Sequence, residues 1–202
     1  MTFNSPIDPA TPGQDRDSLY RMSEALMIAL ANTGLTLQGS RVLHGLVHHV
    51  CRQTSDWHNG GAVQDPNGYL IRLLDLRHNL GLERTKGNAA LRAGLQNLLD
   101  LNFLVNCRLK NANQWLEFKL AADAFGCLFD QMPYGLFDIR HVRHLSTPLD
   151  FMVHETVGVR RRRRAPDLDI LVEAPYALCT GRSAWPRLRP KLTSSLQKSA
   201  AN

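Results

Sequence analysis

Apolar residues recur at three- and four-residue steps from Thr36 to about Gln53, placing Val42, Leu43, Leu46, Val47 and Val50 on one side of a helical wheel. The same spacing begins earlier, from Asp15, through Leu19, Met22, Leu26, Ala29 and Leu30. It predicts a helix over 15–32 that Asn32-Thr33-Gly34 ends. Ser55 to Gly68, with Gly60-Gly61 and Asp65-Pro66-Asn67-Gly68, reads as loop. Tyr69 to His78 reads as a short helix carrying Leu70, Leu73, Leu74 and Arg77, and Asn79-Leu80-Gly81-Leu82 as a turn. Thr85-Lys86-Gly87-Asn88 can cap a helix running to about Leu101, striped by Leu91, Leu95, Leu98 and Leu99. Then the period changes to two. Phe103 to Leu109 and Gln114 to Leu120 alternate apolar and polar about the turn-rich Lys110-Asn111-Ala112-Asn113, which predicts a β-hairpin.

Helix, tight turn, helix and hairpin in that order outline a helix-turn-helix followed by a wing. Beyond it, Ala121 to Gln131 is ambiguous and Tyr134 to Leu145 mixes strand and helix signals. Thr147 to Val159, Leu168 to Leu178 and about Arg187 to Ala200 read as helices. Thr180-Gly181-Arg182-Ser183 between the last two repeats the helix-turn-helix outline and suggests a second, degenerate module. The expected fold class is mainly α with small β-hairpins, a winged helix-turn-helix with two tandem modules as an extension. The expected divisions are a disordered tail at 1–14, a winged-helix module at 15–131 and a basic helical module at 132–202.

Composition and charge sharpen the picture. The chain has 202 residues, 44% hydrophobic and 21% charged, as expected of globular chains. No apolar run reaches the roughly 20 residues that span a bilayer, and the amino terminus lacks a signal pattern, so a cytoplasmic location is expected. The four cysteines form no CxxC pair and read as buried free thiols. The net charge of +6 is unevenly spread: residues 1–138 carry 12 basic against 13 acidic side chains, whereas 139–202 carry 12 against 5. A basic third suggests a polyanion, with nucleic acid ahead of a membrane surface.

A helix entering the major groove needs its apolar stripe inward and small or polar groups outward. With Leu91, Leu95 and Leu98 inward, Lys86, Ala89, Ala90, Ala93, Gln96 and Asn97 face out and Arg92 lies at the border. Arg84, Lys86 and Asn88 sit where the helix dipole favours phosphate. Gln96 and Asn97 are possible base readers, and Arg108 and Lys110 sit at the hairpin tip. Arg160, Arg161, Arg162, Arg163 and Arg164 form a run whose mutual repulsion calls for an anionic counterpart, although a solvated loop is the plain alternative.

Chemistry-bearing motifs are scarce. No GxxxxGK[ST], GxGxxG or GxSxG occurs. His44 with His48 and His141 with His144 have helical spacing but no third ligand at a suitable distance. The carboxylates show no nuclease-like pairing. The expectation is a protein without catalytic residues, metal or cofactor.

Leu35-Thr36-Leu37-Gln38-Gly39-Ser40-Arg41-Val42-Leu43, the Gly87–Leu101 helix with its hairpin, Tyr134 to Arg140 and His144 to Phe151 together resemble the plasmid replication initiator family built from tandem winged-helix domains. The resemblance spans about 35–200. It implies sequence-specific binding of double-stranded origin DNA, through Lys86, Asn88 and Arg92 in the first module and Arg182, Arg187, Arg189 and Lys191 in the second. The chain departs from that pattern in showing no second wing after its last expected helix. Two alternatives stay open: a winged-helix transcription regulator of phage or mobile-element type, with 15–32 as a dimer helix, and a helical adaptor docking on an acidic protein. Expected partners are accordingly double-stranded DNA, with a second copy of the chain and replication or transcription machinery as further candidates.

Overall fold

Leu19 to Ser23 are extended rather than helical, because a distant segment offers them a strand to pair with. The computed structural model describes residues 16–31, 33–54, 64–83, 87–129 and 134–160, together with 193, 194 and 197. After a short 3-10 turn the elements are β1 (Leu19–Ser23), α1 (Glu24–Ala31), α2 (Leu37–Gln53), β2 (Tyr69–Arg72), α3 (Leu73–Asn79), α4 (Ala89–Asp100), β3 (Leu104–Lys110), β4 (Trp115–Leu120), α5 (Ala122–Phe129), β5 (Tyr134–Asp138), α6 (Ile139–Val142) and α7 (Pro148–Arg160).

β1 pairs antiparallel with β5, from Leu19 opposite Asp138 to Ser23 opposite Tyr134. This corrects the helix expected over 15–32, which begins only at Glu24. Both faces of β1 are covered: Tyr20 and Met22 are inaccessible, and Arg21 is buried with its guanidinium 4.3 Å from the Tyr134 ring centroid and 5.9 Å from that of Phe129. Tyr20, Arg21, Met22 and Ser23 alternate in polarity, but the run is short and Leu19, Met22, Leu26 and Leu30 keep a helical spacing across it, which is why the strand reads as the start of a helix. Ser23 then opens α1, its hydroxyl oxygen accepting from the Leu26 N–H at 3.1 Å while donating to the Cys127 carbonyl.

α2 forms where the sequence predicts it. Thr36 lies in the extended region and its hydroxyl accepts from the Gly39 N–H at 3.0 Å. Val42, Leu43, Leu46, Val47 and Val50 are all essentially inaccessible, each such burial contributing about 1.5–3 kcal/mol before entropy is counted.

The expected helix over 69–78 is also corrected. Its first four residues are β2, in register with β4 from Tyr69 opposite Phe118 to Arg72 opposite Trp115. Tyr69 and Ile71 face the core, while Leu70 and Arg72 face solvent. The leucine stripe that looked like a buried helical face is half an outer surface: Leu70 is 50% and Leu74 63% exposed. α3 follows and closes on Gly81 at φ +67°, with Leu82 N–H donating to the Arg77 carbonyl at 2.8 Å and Gly81 N–H to that of His78 at 3.0 Å. Those two bonds satisfy carbonyls that the helix end leaves unpaired and turn the chain toward α4.

α4 lies across α2 at very short range. A Cβ built on Gly94 would stand 2.5 Å from the Gln38 carbonyl oxygen and 2.6 Å from Val42 Cγ2. Leu91, Leu95 and Leu98 fill the contact. β3 and β4 make the expected hairpin, with an irregularity between Leu104 and Asn106, and β2 completes a sheet of order β2-β4-β3. The ambiguous 121–131 stretch contains α5.

β5, α6, the turn after it and α7 share the core of the preceding elements through Phe137, Ile139, Val142, Leu145, Phe151 and Val159. Residues 134–160 therefore pack with 16–129 across the division expected at 131/132. Thr147 and Asp150 start α7 reciprocally: the Asp150 carboxylate accepts from Thr147 N–H at 3.0 Å and the Thr147 hydroxyl from Asp150 N–H at 3.1 Å. The helix expected at 168–178 and the 1–14 tail lie outside the described residues; of the helix expected at 187–200 only 193, 194 and 197 are described, and these are helical and exposed.

Candidate nucleic-acid interface

α4 presents two faces of opposite character. Leu91, Gly94, Leu95 and Leu98 are buried against α2, whereas Ala89, Arg92, Ala93 and Gln96 are exposed. The outer surface is thus small, uncharged for most of its length and edged by one guanidinium. A surface of that kind lets another molecule approach the helix backbone closely.

Individual residues differ in how available they are. Asn88 precedes α4 and makes no side-chain cap bond; its Oδ1 accepts from Arg77 Nη1 at 3.1 Å. Arg77 also donates to the Leu82 carbonyl at 3.1 Å, so it braces the turn between α3 and α4. Gln96 donates to Asp100 Oδ1 at 2.8 Å, an exposed contact that water or a ligand can replace at little cost. Asn97 is a correction to the expected outward face: its Oδ1 accepts from Thr36 N–H at 2.9 Å and from the Thr36 hydroxyl at 3.0 Å. It ties α4 to the start of α2 and cannot read a base in this position.

The hairpin brings a second set of cations. Arg108 and Lys110 are exposed on β3, opposite Glu117 and Trp115 of β4. Lys110 Nζ lies 2.6 Å from Glu117 Oε1 with both side chains partly solvated, a pairing worth about 0–1 kcal/mol that a phosphate could displace. At the tip, Asn111, Ala112 and Asn113 all have positive φ, between +50° and +67°. Asparagine tolerates that region; alanine does so at a cost.

Between the hairpin tip, α3 and the start of α4 lies a cleft of about 660 Å³. Arg72, Arg77, Asn88, Asn113, Gln114 and Trp115 are among its walls. It brings the first residue of the α4 site together with the hairpin. Sequence reasoning missed Arg72 and Trp115, because treating 69–78 as a helix hid the row Arg72–Trp115–Lys110 that strand register lines up. The sequence carries little signal for this strand beyond the aromatic and β-branched Tyr69 and Ile71 at alternate positions after the Asp65-Pro66-Asn67-Gly68 turn.

Other expected contacts fall elsewhere. Arg84 and Lys86 lie outside the described residues, as do Arg161, Arg162, Arg163, Arg164, Arg182, Arg187, Arg189 and Lys191. Arg160 is the last residue of α7, and its side chain is likewise outside the description.

The histidines belong to a buried network rather than to this surface. His44 Nδ1 is hydrogen-bonded to the Tyr20 hydroxyl, and its Nε2 lies 2.8 Å from Glu155 Oε1, linking β1, α2 and α7. His48 Nε2 pairs with the Asp17 carbonyl at 2.8 Å. Burial pushes His154 down to about 3, helped by repulsion from His44 and His141, and pushes His49 down to about 4. Among the described residues no group of three His, Cys, Asp or Glu side chains is placed to hold a metal ion. Cys51 is buried, with its thiol pushed up to about 12 by burial; Cys107 and Cys127 are free and half-buried. No described helix is long and apolar enough to cross a membrane.

The architecture defines a class first. Helix, strand, two helices and a hairpin around a β2-β4-β3 sheet form a mixed α/β fold with small antiparallel sheets. That fold is similar to a solved structure described as Pi initiator protein in complex with iteron DNA, with a TM-score of 0.55 and 14% identity, covering 74% of this chain and 67% of that one. No family model matches the sequence, and no curated protein matches it.

Proposed function

We propose that the chain is a sequence-specific double-stranded DNA-binding protein of plasmid replication initiator type. In this reading α2 to β4 works as a winged helix, with α4 in the major groove and the β3–β4 hairpin as its wing. One observation carries the proposal: a fold shared with an initiator crystallised on iteron DNA leaves the small, polar face of α4 exposed while its leucines are buried. Arg92 and Gln96 lie on that face, with Asn88 at its start, and Arg108 and Lys110 supply cations on the hairpin. Arg84, Lys86 and the Arg160–Arg164 run add phosphate contacts, and Arg182, Arg187, Arg189 and Lys191 serve a second module. The chemistry is binding rather than catalysis, since each role named here needs only shape, charge and hydrogen bonding.

Gel-shift and footprinting experiments with fragments of the surrounding genome, across a salt series, test this. Protection of tandem direct repeats is the expected result. A palindrome beside a promoter would mark a transcription regulator instead. No protected site on any fragment would overturn DNA recognition and leave the adaptor reading. Replacing Arg160 to Arg164 by glutamine should flatten the salt dependence by about 0.9 in slope for each phosphate lost, without moving the protected site. An unchanged slope would remove that run from the interface.

A further inference from the structure

Arg72 and Trp115 stand beside the proposed groove-binding helix without being part of it. Arg72 ends β2 and is exposed, with its guanidinium carbon 5.9 Å from the centroid of the Trp115 ring. Trp115 is its direct cross-strand neighbour, and Lys110 is the neighbour of Trp115 on the other side. That distance is near the outer limit of a cation–π contact, so the indole favours keeping this exposed guanidinium on the Trp115 side of the strand. The cleft beneath contains both Arg72 and Arg77, and no carboxylate is among its described walls. Arg77 is committed to the Leu82 carbonyl and to Asn88, so it contributes field and shape while Arg72 is left to reach a ligand. Leu73 N–H donates to the Gln114 carbonyl at 2.9 Å, which locks the hairpin tip to the start of α3 and keeps the walls in place.

We propose that Arg72, beside Trp115, is an anchor for a backbone phosphate of the duplex, gripping the strand that flanks the groove entered by α4. The inference rests on the reading of α4 given above and deepens it. Asn88 joins the two, since it lies both at the start of α4 and in the wall of the cleft. A phosphate row running beside the helix amino terminus would pass across the cleft mouth, where a planar guanidinium can take two oxygens at once. Such a contact fixes register and orientation without reading sequence.

The test uses the full-length chain and a duplex cut from the region it protects. Arg72→Gln should lower the slope of log K against log salt by about 0.9 and weaken binding roughly tenfold at low salt. The protected bases should stay the same. Ethylation interference with the wild-type chain should reveal one phosphate at the edge of the site whose modification weakens binding, and Arg72→Gln should be indifferent to it. Arg72→Lys should keep the slope yet lose several-fold in affinity, because an ammonium cannot make the two-pronged contact. A wild-type slope in Arg72→Gln, or interference that persists unaltered, would overturn the anchor while leaving α4 recognition standing. An effect on single-stranded but not duplex binding would overturn it as well. Should Arg72→Gln lose its fold by circular dichroism, Arg72→Lys with the interference pattern decides. Failure of the wild-type chain to bind any duplex would instead refute the underlying reading.

Discussion

Gly94→Ala is a sharp probe of how α4 is held. In an unconstrained helix interior the change stabilises by about 0.8–1 kcal/mol, because alanine loses less backbone freedom. Here the new methyl would meet the Gln38 carbonyl oxygen at 2.5 Å and Val42 Cγ2 at 2.6 Å. The oxygen belongs to the α2 backbone and cannot swing aside, so the two helices must separate. Overpacking of this kind costs about 1–3 kcal/mol, and for a backbone obstacle the upper half of that range applies. A net loss of about 1–2 kcal/mol is expected. Gly126→Ala in α5 is the control, since a Cβ there meets nothing within 4 Å. It should gain about 0.5–1 kcal/mol. Urea unfolding followed by circular dichroism, with equal m-values, measures both. Two chemically identical substitutions should therefore move the midpoint in opposite directions. A Gly94→Ala variant as stable as Gly126→Ala would refute the close crossing of α4 over α2.

Two further outcomes follow from the buried histidines and the α4 amides. His154 and His49 titrate in the folded state near 3 and 4, against about 6.5 unfolded; the folded pKa is depressed, so their contribution is full above 6.5 and is lost as pH falls toward 4. At pH 5 each should have cost about 2 kcal/mol, and His154→Gln should flatten the urea midpoint between pH 7 and 5; a midpoint already flat in the wild type would contradict the burial. Asp138, also held below its usual range, loses its contribution only below that window: burial raises it, but hydrogen bonds from Arg140 outweigh this. On α4, Asn97→Ala should cost about 1 kcal/mol in thermal or urea unfolding by removing the acceptor for Thr36. Gln96→Ala should leave stability within about 0.5 kcal/mol and alter only DNA affinity, and a reversal of those two roles would mean the outer face is misassigned.

The elements that could be seen in the sequence are those whose period and burial agree. α4 buries a single 3.6-residue stripe, α2 carries its valines and leucines at that spacing although 42–48 are all buried, and β4 alternates, with Leu116, Phe118 and Leu120 inaccessible. Two strands were hidden for different reasons. β1 does alternate over Tyr20, Arg21, Met22 and Ser23, but Leu19, Met22, Leu26 and Leu30 also fit a helical period that runs on into α1. β2 alternates in burial but not in polarity, since Leu70 is apolar, and Leu70 with Leu74 keeps a helical spacing that mimics a buried stripe although both are exposed. The candidate surface suffered accordingly. Arg92, Gln96, Arg108 and Lys110 emerge where expected because their elements do, whereas Arg72 and Trp115 become neighbours only through strand register. Asn97 shows the converse: a helical wheel turns it outward, and only the nearby start of α2 claims its amide.

The pairing of β1 with β5 also shapes how the chain is made. During synthesis the first strand emerges more than a hundred residues before its partner, a loop whose closure must await nearly all of the intervening core. A ribosome-bound or truncated product ending near residue 131 would hold an unpaired, largely apolar strand edge, and such edges invite association with other chains. Fragments meant to isolate the α4 surface should therefore extend through α7, and expression of shorter ones should produce aggregates rather than a smaller binding unit.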